Sequence, residues 1–333
     1  LYACIGEGGP ISSPAPWSVV TAALVLACWG TAALAQTYPA KTVRVIVPTG
    51  PAGGADMQGR LISKRFSESM GQQFFVDNRP GASGIIGAEL VAKAPPDGYI
   101  LLVTSSLIAV AAAVYPKLPY DALKDLAPIG LIAHAPQVLL AHPSVPARSV
   151  RDLVALARKQ ADKLNAGSAG TGSVNYIALE MLQQAAGIKV THVPYKSGAA
   201  AVTALMGGEI DFTFSGAVQA QPLLRAGRAK ALAVTSAQPS PVLPGVPTLD
   251  SVYPGFVSGN WYGMFAPAAT PSAIIARLNA EIASALKASE VRELLAREGA
   301  EPAVNTPQEF GAYLRREIER YTAVARAANL KVQ

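Results

Sequence analysis

Short apolar, β-branched runs alternate along this chain with stretches whose apolar residues recur at helical spacing. The runs Val43 to Val47, Gln73 to Val76, Tyr99 to Thr104, Val138 to Ala141, Val190 to Pro194, Ile210 to Phe214 and Lys230 to Thr235 read as strands, with a further strand-like stretch from Lys163 to Ala166. Runs this short, bounded by turn residues and separated by helical patterns, predict buried strands in parallel α/β sheets.

Three helices announce their first turns. Ser149 with Asp152 forms a capping box ahead of Val150, Leu153, Val154 and Ala157, which fall on one face. Thr270-Pro271 and Thr306-Pro307 each offer an N-cap hydroxyl followed by proline at the first helical position, and Glu309 completes a capping box in the second. The faces Ile274, Ile275, Leu278, Ile282, Leu286 and Phe310, Tyr313, Leu314, Tyr321 are core stripes. Between Ser236 and Gly255, prolines 239, 241, 244, 247 and 254 predict an ordered surface loop or an inter-domain passage. No repeat or heptad pattern is present.

Glycine-rich loops join strands to helices at three places. The first is Thr49, Gly50, Pro51, Ala52, Gly53, Gly54, which ends at Ala55-Asp56; the second is Gly170, Thr171, Gly172, Ser173; the third is Asn78 to Gly84. A helix N-terminus leaves N–H donors unpaired and carries partial positive charge, so such loops can cradle a carboxylate or phosphate, though a tight turn accounts for each one equally well. None is a nucleotide motif: there is no G-x-x-x-x-G-K-[ST], and Asn175 takes the place of the last glycine of a G-x-G-x-x-G. Asp56 reads as a residue of a helix's first turn.

Composition narrows the function classes. Half of the 333 residues are hydrophobic and 15% are charged, ample for one large or two medium α/β domains. The first 35 residues carry Glu7 as their only charge, with an apolar run from Trp17 to Cys28 too short to span a bilayer and an Ala33-Leu34-Ala35 cleavage pattern. The expectation is a signal peptide cut after Ala35, leaving Gln36 first; a lipid attachment at Cys28 and an uncleaved anchor are the alternatives. No Lys or Arg precedes the apolar run, so a misplaced start or a truncated upstream region is expected, and the export expectation rests on the apolar run and the cleavage pattern. Both cysteines, Cys4 and Cys28, lie in this leader, which leaves the mature chain without a disulfide or a thiol nucleophile. The net charge of +6, one unit higher without Glu7, suits anionic solutes. Its scattered distribution gives no footprint for nucleic acid.

Catalytic patterns are incomplete. His134, His142 and His192 lack metal-binding spacing, so no metal and no cofactor is expected. Ala166-Gly167-Ser168-Ala169-Gly170 is an alanine variant of a nucleophile elbow. The only later histidine is His192 and the only acid between them is Glu180, which leaves an exported serine hydrolase using Ser168 as the alternative of another class.

Taken in order, the segments VRVIVPTGPAGGADMQGR, VDNRPGASGIIGAELVAKAPPDGYILLVTSS, LPYDALKDLAPIGLIA, AGSAGTGSVNYIALE, VTHVPYKSGAAAVTALMGGEIDFTF, AKALAVTS, LPGVPTLDSVYPGF and WYGMFAPAATP resemble the Bug family of periplasmic receptors of tripartite tricarboxylate transporters. The resemblance implies a type II periplasmic-binding fold, with lobe 1 over 36–137, lobe 2 over 138–257 and a return segment over 258–333 that belongs mainly to lobe 1. It implies a small organic carboxylate gripped by the loops Thr49 to Gly54 and Gly170 to Ser173, with Ser105, Ser106 and Ser215 carried as pocket residues that could equally cap local turns. The partners it implies are transporter subunits or, alternatively, a sensor receptor; a monomer is expected, and the incomplete catalytic patterns add the expectation that the chain is not an enzyme. Thr49 stands where phenylalanine is frequent in that family, Ala52 where glycine is, and Tyr176 where histidine is; wall residues such as these leave the ligand's shape open. Arg79 and Lys196 are the nearest cations to the loops, and neutral donors are expected to dominate.

Overall fold

The computed structural model describes residues 38–327, except 52, 161, 162 and 172. The expected leader with Cys4 and Cys28, and the loop positions Ala52 and Gly172, lie outside the described residues.

Two sheets share one long strand. In the first, β1 (Val43–Val47) pairs in parallel with β2 (Phe74–Asn78) and β3 (Ile100–Ser105). The intervening helices are α1 (Gly54–Met70) and α2 (Ile85–Ala92), and α3 (Leu107–Val114) follows β3. The strand β4 (Leu126–Ala141) joins this sheet through β9 (Gly259–Pro267), which runs antiparallel to both β3 and β4, and β10 (Glu301–Pro302) also pairs with β4. From Gln137 onward β4 leaves the first sheet and pairs antiparallel with β7 (Phe212–Gly216) and β8 (Lys230–Val234) in the second. There β5 (Asn165–Ser168) pairs in parallel with β6 (Thr191–Pro194) and β7. The helices of this half are α4 (Val150–Lys159), α5 (Val174–Ala186), α6 (Gly198–Met206) and α7 (Ala217–Arg225). After β9 the chain closes on the first half with α8 (Ser272–Lys287), α9 (Ser289–Arg297) and α10 (Pro307–Ala327). Two α/β lobes result, joined where β4 and the entry to β9 cross between them.

The hydrophobic pattern locates most of these elements within two residues. Among the strands it omits β9, the two-residue β10 and the first twelve residues of β4, and of these β4 and β9 are the crossing strands. They run antiparallel to their neighbours, so the sheets are mixed where purely parallel ones are expected. Ser149 caps α4 as expected, accepting from the Asp152 N–H at 3.1 Å. Thr306 and Glu309 exchange the bonds of a capping box at α10, 2.8 and 3.2 Å. Thr270 does not cap α8: Pro271 takes the N-cap position, and its carbonyl receives the Ile274 and Ile275 N–H groups while the Thr270 hydroxyl stays buried without a partner.

A fully buried threonine ties the crossing together. The Thr235 hydroxyl accepts from the Gln137 N–H at 2.7 Å and donates to the Ser258 carbonyl at 2.6 Å. Its backbone bonds the same two strands, N–H to Gln137 O at 2.9 Å and carbonyl from Ser258 N–H at 3.1 Å. Beside the crossing, buried Trp261 of β9 donates from Nε1 to Glu317 Oε2 of α10 at 3.1 Å, which locks the last helix to the central strand.

Burial at this seam makes stability depend on pH. His134 of β4 lies edge-on to the Tyr313 ring, and burial, with the Arg320 charge adding, pulls its imidazole down to about 4. The unfolded chain therefore binds the extra proton between about pH 6.5 and 4, so stability falls as pH drops through that window, by about 2–3 kcal/mol. Urea unfolding at pH 7 and pH 4.5 should show His134→Gln losing about 2 kcal/mol less than wild type on acidification; equal losses would remove His134 from the balance.

Candidate functional site

Between the lobes lies a cleft of about 370 Å³. Five helices begin on it. Gly53 and Gly54 bring in the N-terminus of α1, Leu107 that of α3, Ser173 and Val174 that of α5, Gly198 that of α6 and Gly216 that of α7. Ser173 and Ser197 cap their own helices by accepting from the Tyr176 and Ala200 N–H groups. The α1 and α7 termini have no side-chain cap, which leaves first-turn N–H groups available to a ligand, whereas at α3 the Ser105 hydroxyl accepts from the Leu107 N–H at 3.4 Å.

None of the cleft's described lining residues is charged. Hydroxyls come from Thr49, Ser105, Ser173, Ser215 and Tyr262, and amides from Gln137, Asn175, Gln219 and Asn260. Burial, with the Glu298 charge adding, pushes the Tyr262 phenol up to about 12, so it stays a proton donor throughout the neutral range. Positive helix ends and neutral donors around an uncharged cleft stabilise an anion without an opposite charge.

The first loop is held by a buried acid. Asp56, in the first turn of α1, accepts from Asn78 Nδ2 at 2.9 Å and from Arg60 Nε at 2.9 Å, and Asn78 Nδ2 also donates to the Thr49 carbonyl at 3.0 Å. The third glycine loop does not line the cleft. It buttresses the first: Arg79 N–H donates to Val47 O at 2.8 Å, and Gly87 lies so close to Pro48 that a Cβ would meet it at 2.8 Å. Arg79 pairs with Asp77 at 3.1 Å, and neither it nor exposed Lys196 reaches the lining.

Of the positions expected from sequence, Thr49, Gly53, Gly54, Ser105, Ser173 and Ser215 line the cleft. Gly50, Pro51 and Thr171 turn to solvent, and Gly170 sits behind the lining with φ 96°. Ser106 is fully buried, and its hydroxyl donates to Asn260 Oδ1 at 2.8 Å, so it reaches the cleft through that amide. The four amides, Tyr262, Gly198 and Gly216 escape the sequence reading. Ser197-Gly198 and Ser215-Gly216 repeat the strand, small-residue, helix signal of the loops that were found. Gln137, Asn260 and Tyr262 sit on crossing strands whose path has no local signature.

The model of the tripartite tricarboxylate transporter family receptor (TctC) matches residues 59–330. The chain belongs to this family. Protein BugT of Bordetella pertussis is 33% identical over 302 residues, 90% of this chain and 93% of that one. Among solved structures, Rpa4515 of Rhodopseudomonas palustris with adipate is 35% identical with a TM-score of 0.73, covering 88% of this chain and 99% of that one. MatC (Rpa3494) of the same organism, with bound malate, is 35% identical with a TM-score of 0.69, covering 86% and 99%. These findings bear out the resemblance to the Bug receptors and the periplasmic-binding fold. Among the described residues no cluster of His, Cys, Asp and Glu could hold a metal, and no helix is long and apolar enough to cross a membrane.

In this TctC-family cleft, one contact between the helix ends is tight enough to test. A Cβ on Gly54 would meet the Tyr262 hydroxyl at 2.1 Å. Gly54→Ala should destabilise the protein by about 1–3 kcal/mol, measured by urea unfolding. In a Tyr262→Ala background the same change should stabilise by about 0.5–1 kcal/mol, because only the helix preference of alanine remains; a penalty that persists without Tyr262 would show the contact to be irrelevant.

Proposed function

We propose that this chain is a periplasmic receptor that closes on a small organic carboxylate and hands it to the membrane subunits of a tripartite tricarboxylate-type transporter. The observation that carries this reading is the convergence of five helix N-termini on a cleft lined by uncharged donors. The adipate and malate bound by two relatives at 35% identity support the carboxylate. In this proposal Thr49, Gly53, Gly54, Ser105, Ser173 and Ser215 contact the ligand with Gln137, Asn175, Gln219, Asn260 and Tyr262. Gly50, Pro51, Gly170 and Thr171 shape the two loops and come within reach as the lobes close. The lobes divide at Gln137 and Val257, in keeping with the change of sheet along β4. The exported chain, cut after Ala35, acts as a monomer.

A serine hydrolase is the second reading, and one distance favours it: Ser168 Oγ lies 2.7 Å from His192 Nε2. Against it, Ser168 is wholly buried and outside the cleft lining, and its oxygen also accepts from the Gly170 N–H at 3.1 Å. Glu180 bonds Gln183 at 2.9 Å and the Tyr176 hydroxyl, not the imidazole. We therefore propose capture without turnover.

Purified protein should melt roughly 5 °C higher with a bound carboxylate at a hundredfold excess over Kd, in a thermal-shift panel of mono-, di- and tricarboxylates, aromatic acids, sugars and metal ions. A response to sugars or metals with none to any acid would overturn the ligand class. Esterase assays on wild type and Ser168→Ala should both stay at background; activity in the wild type lost in the variant would restore the hydrolase.

A further inference from the structure

The Ser168–His192 pair is left over from the function just proposed, yet it adjoins the second glycine loop. Ser168 ends β5 and His192 lies beside it on β6, where Ala166 and His192 are register partners. One serine proton is available. Gly170 N–H donates to Ser168 Oγ at 3.1 Å, so the hydroxyl proton goes either to His192 Nε2 at 2.7 Å or to the Gly170 carbonyl at 3.4 Å. The Gly170 carbonyl already accepts from the Ser173 hydroxyl at 2.6 Å and the Ser173 N–H at 3.1 Å. The shorter, uncontested bond directs the proton to Nε2 and leaves the oxygen's lone pairs facing the loop.

From that oxygen a continuous chain of bonds leads to the cleft. Ser168 Oγ holds the Gly170 N–H, and the Gly170 carbonyl orients the Ser173 hydroxyl, which lines the cleft and caps α5 through the Tyr176 N–H at 3.3 Å. Asn175, also in the lining, accepts from the Ala169 N–H at 3.4 Å. The strut is braced from behind by the Tyr176 ring, whose centroid is 4.4 Å from that of His192. Gly170 takes φ 96°, a left-handed conformation that glycine adopts without steric cost.

We propose that His192 and Ser168 are positioning residues of the ligand cleft, which set the 169–173 loop, and through it Ser173 and the α5 N-terminus, in the geometry that grips the ligand. The inference rests on reading the cleft as the binding site. Its structural half stands apart from any ligand: without an acceptor at position 192, the Ser168 hydroxyl turns toward Gly170 and the loop loosens. Burial also lowers the His192 pKa, which favours the neutral imidazole the acceptor role requires.

The test compares His192→Phe, which keeps a ring against Tyr176 but has no acceptor, with His192→Gln, whose amide oxygen can accept, and with Ser168→Ala. In ligand-free protein, amide hydrogen exchange read by NMR should quicken about tenfold at Gly170 and Ser173 in His192→Phe and Ser168→Ala, and by no more than about threefold in His192→Gln. Adipate and malate are the probes of affinity. His192→Phe and Ser168→Ala should bind the responsive acid about tenfold more weakly, with His192→Gln near wild type. Unchanged exchange in all three variants, or equal losses of affinity in His192→Phe and His192→Gln, would overturn the strut. Failure of wild type to bind either acid would count against the carboxylate, and the exchange measurement would still decide the strut.

Discussion

First-turn N–H groups can meet a carboxylate only where no side chain has already taken them, and the cleft is organised around that condition. Gly53 and Gly216 stand at the caps of α1 and α7, where serine, threonine or aspartate would satisfy the helix from within. Helix ends each stabilise an anion by about 0.3–1 kcal/mol when exposed, and by up to about 2 kcal/mol when partly buried. Several together supply a few kcal/mol with no cation in the wall. An arginine in the same place would leave a charge to be desolvated or paired in the unliganded protein, at several kcal/mol by continuum estimates. Neutral donors avoid that penalty, so the empty cleft is stable and the filled one is favoured chiefly when the lobes exclude water.

Closure and contact share residues. Gln137 and Asn260 line the cleft, yet both sit on the strands that cross between lobes, next to the Thr235 tie. A ligand that bonds these amides touches the hinge itself, so its binding energy acts directly on the angle between lobes and not only on one wall. Two buried acceptors at the crossing, Gln137 Oε1 and Ser258 Oγ, lack partners in this conformation.

Local signals carried the elements and failed at the passages. β1, α4 and α10 are legible because apolar period and capping chemistry are contained in a dozen residues. The crossing strands are not, because Leu126 to Gln137 and Gly259 to Pro267 owe their form to pairing with strands far away in sequence, and their proline and glycine content reads as turn. The site divides in the same way. Glycine loops announced Thr49, Gly53, Gly54 and Ser173, since a helix start is a local event. Tyr262 reaches the cleft because β9 is threaded between β3 and β4, and only that topology sets its phenol over Gly54. Thr270 shows the converse: a Thr-Pro pair with the right local pattern is overridden when the chain leaves β9 with Pro271 at the cap.

A serine hydroxyl within hydrogen-bond distance of an imidazole is the geometry of an activated nucleophile, and access separates that role from support. At Ser168 the oxygen is sealed from solvent, one side taken by a backbone N–H that a nucleophile would leave open to substrate. The acid that would orient the imidazole is turned to Tyr176 and Gln183. The same pair set one turn further toward the cleft would face the donors that now await a carboxylate, and those donors would serve as an oxyanion hole. Burial beneath the loop turns what could be a catalytic dyad into a fixed point for the loop above it.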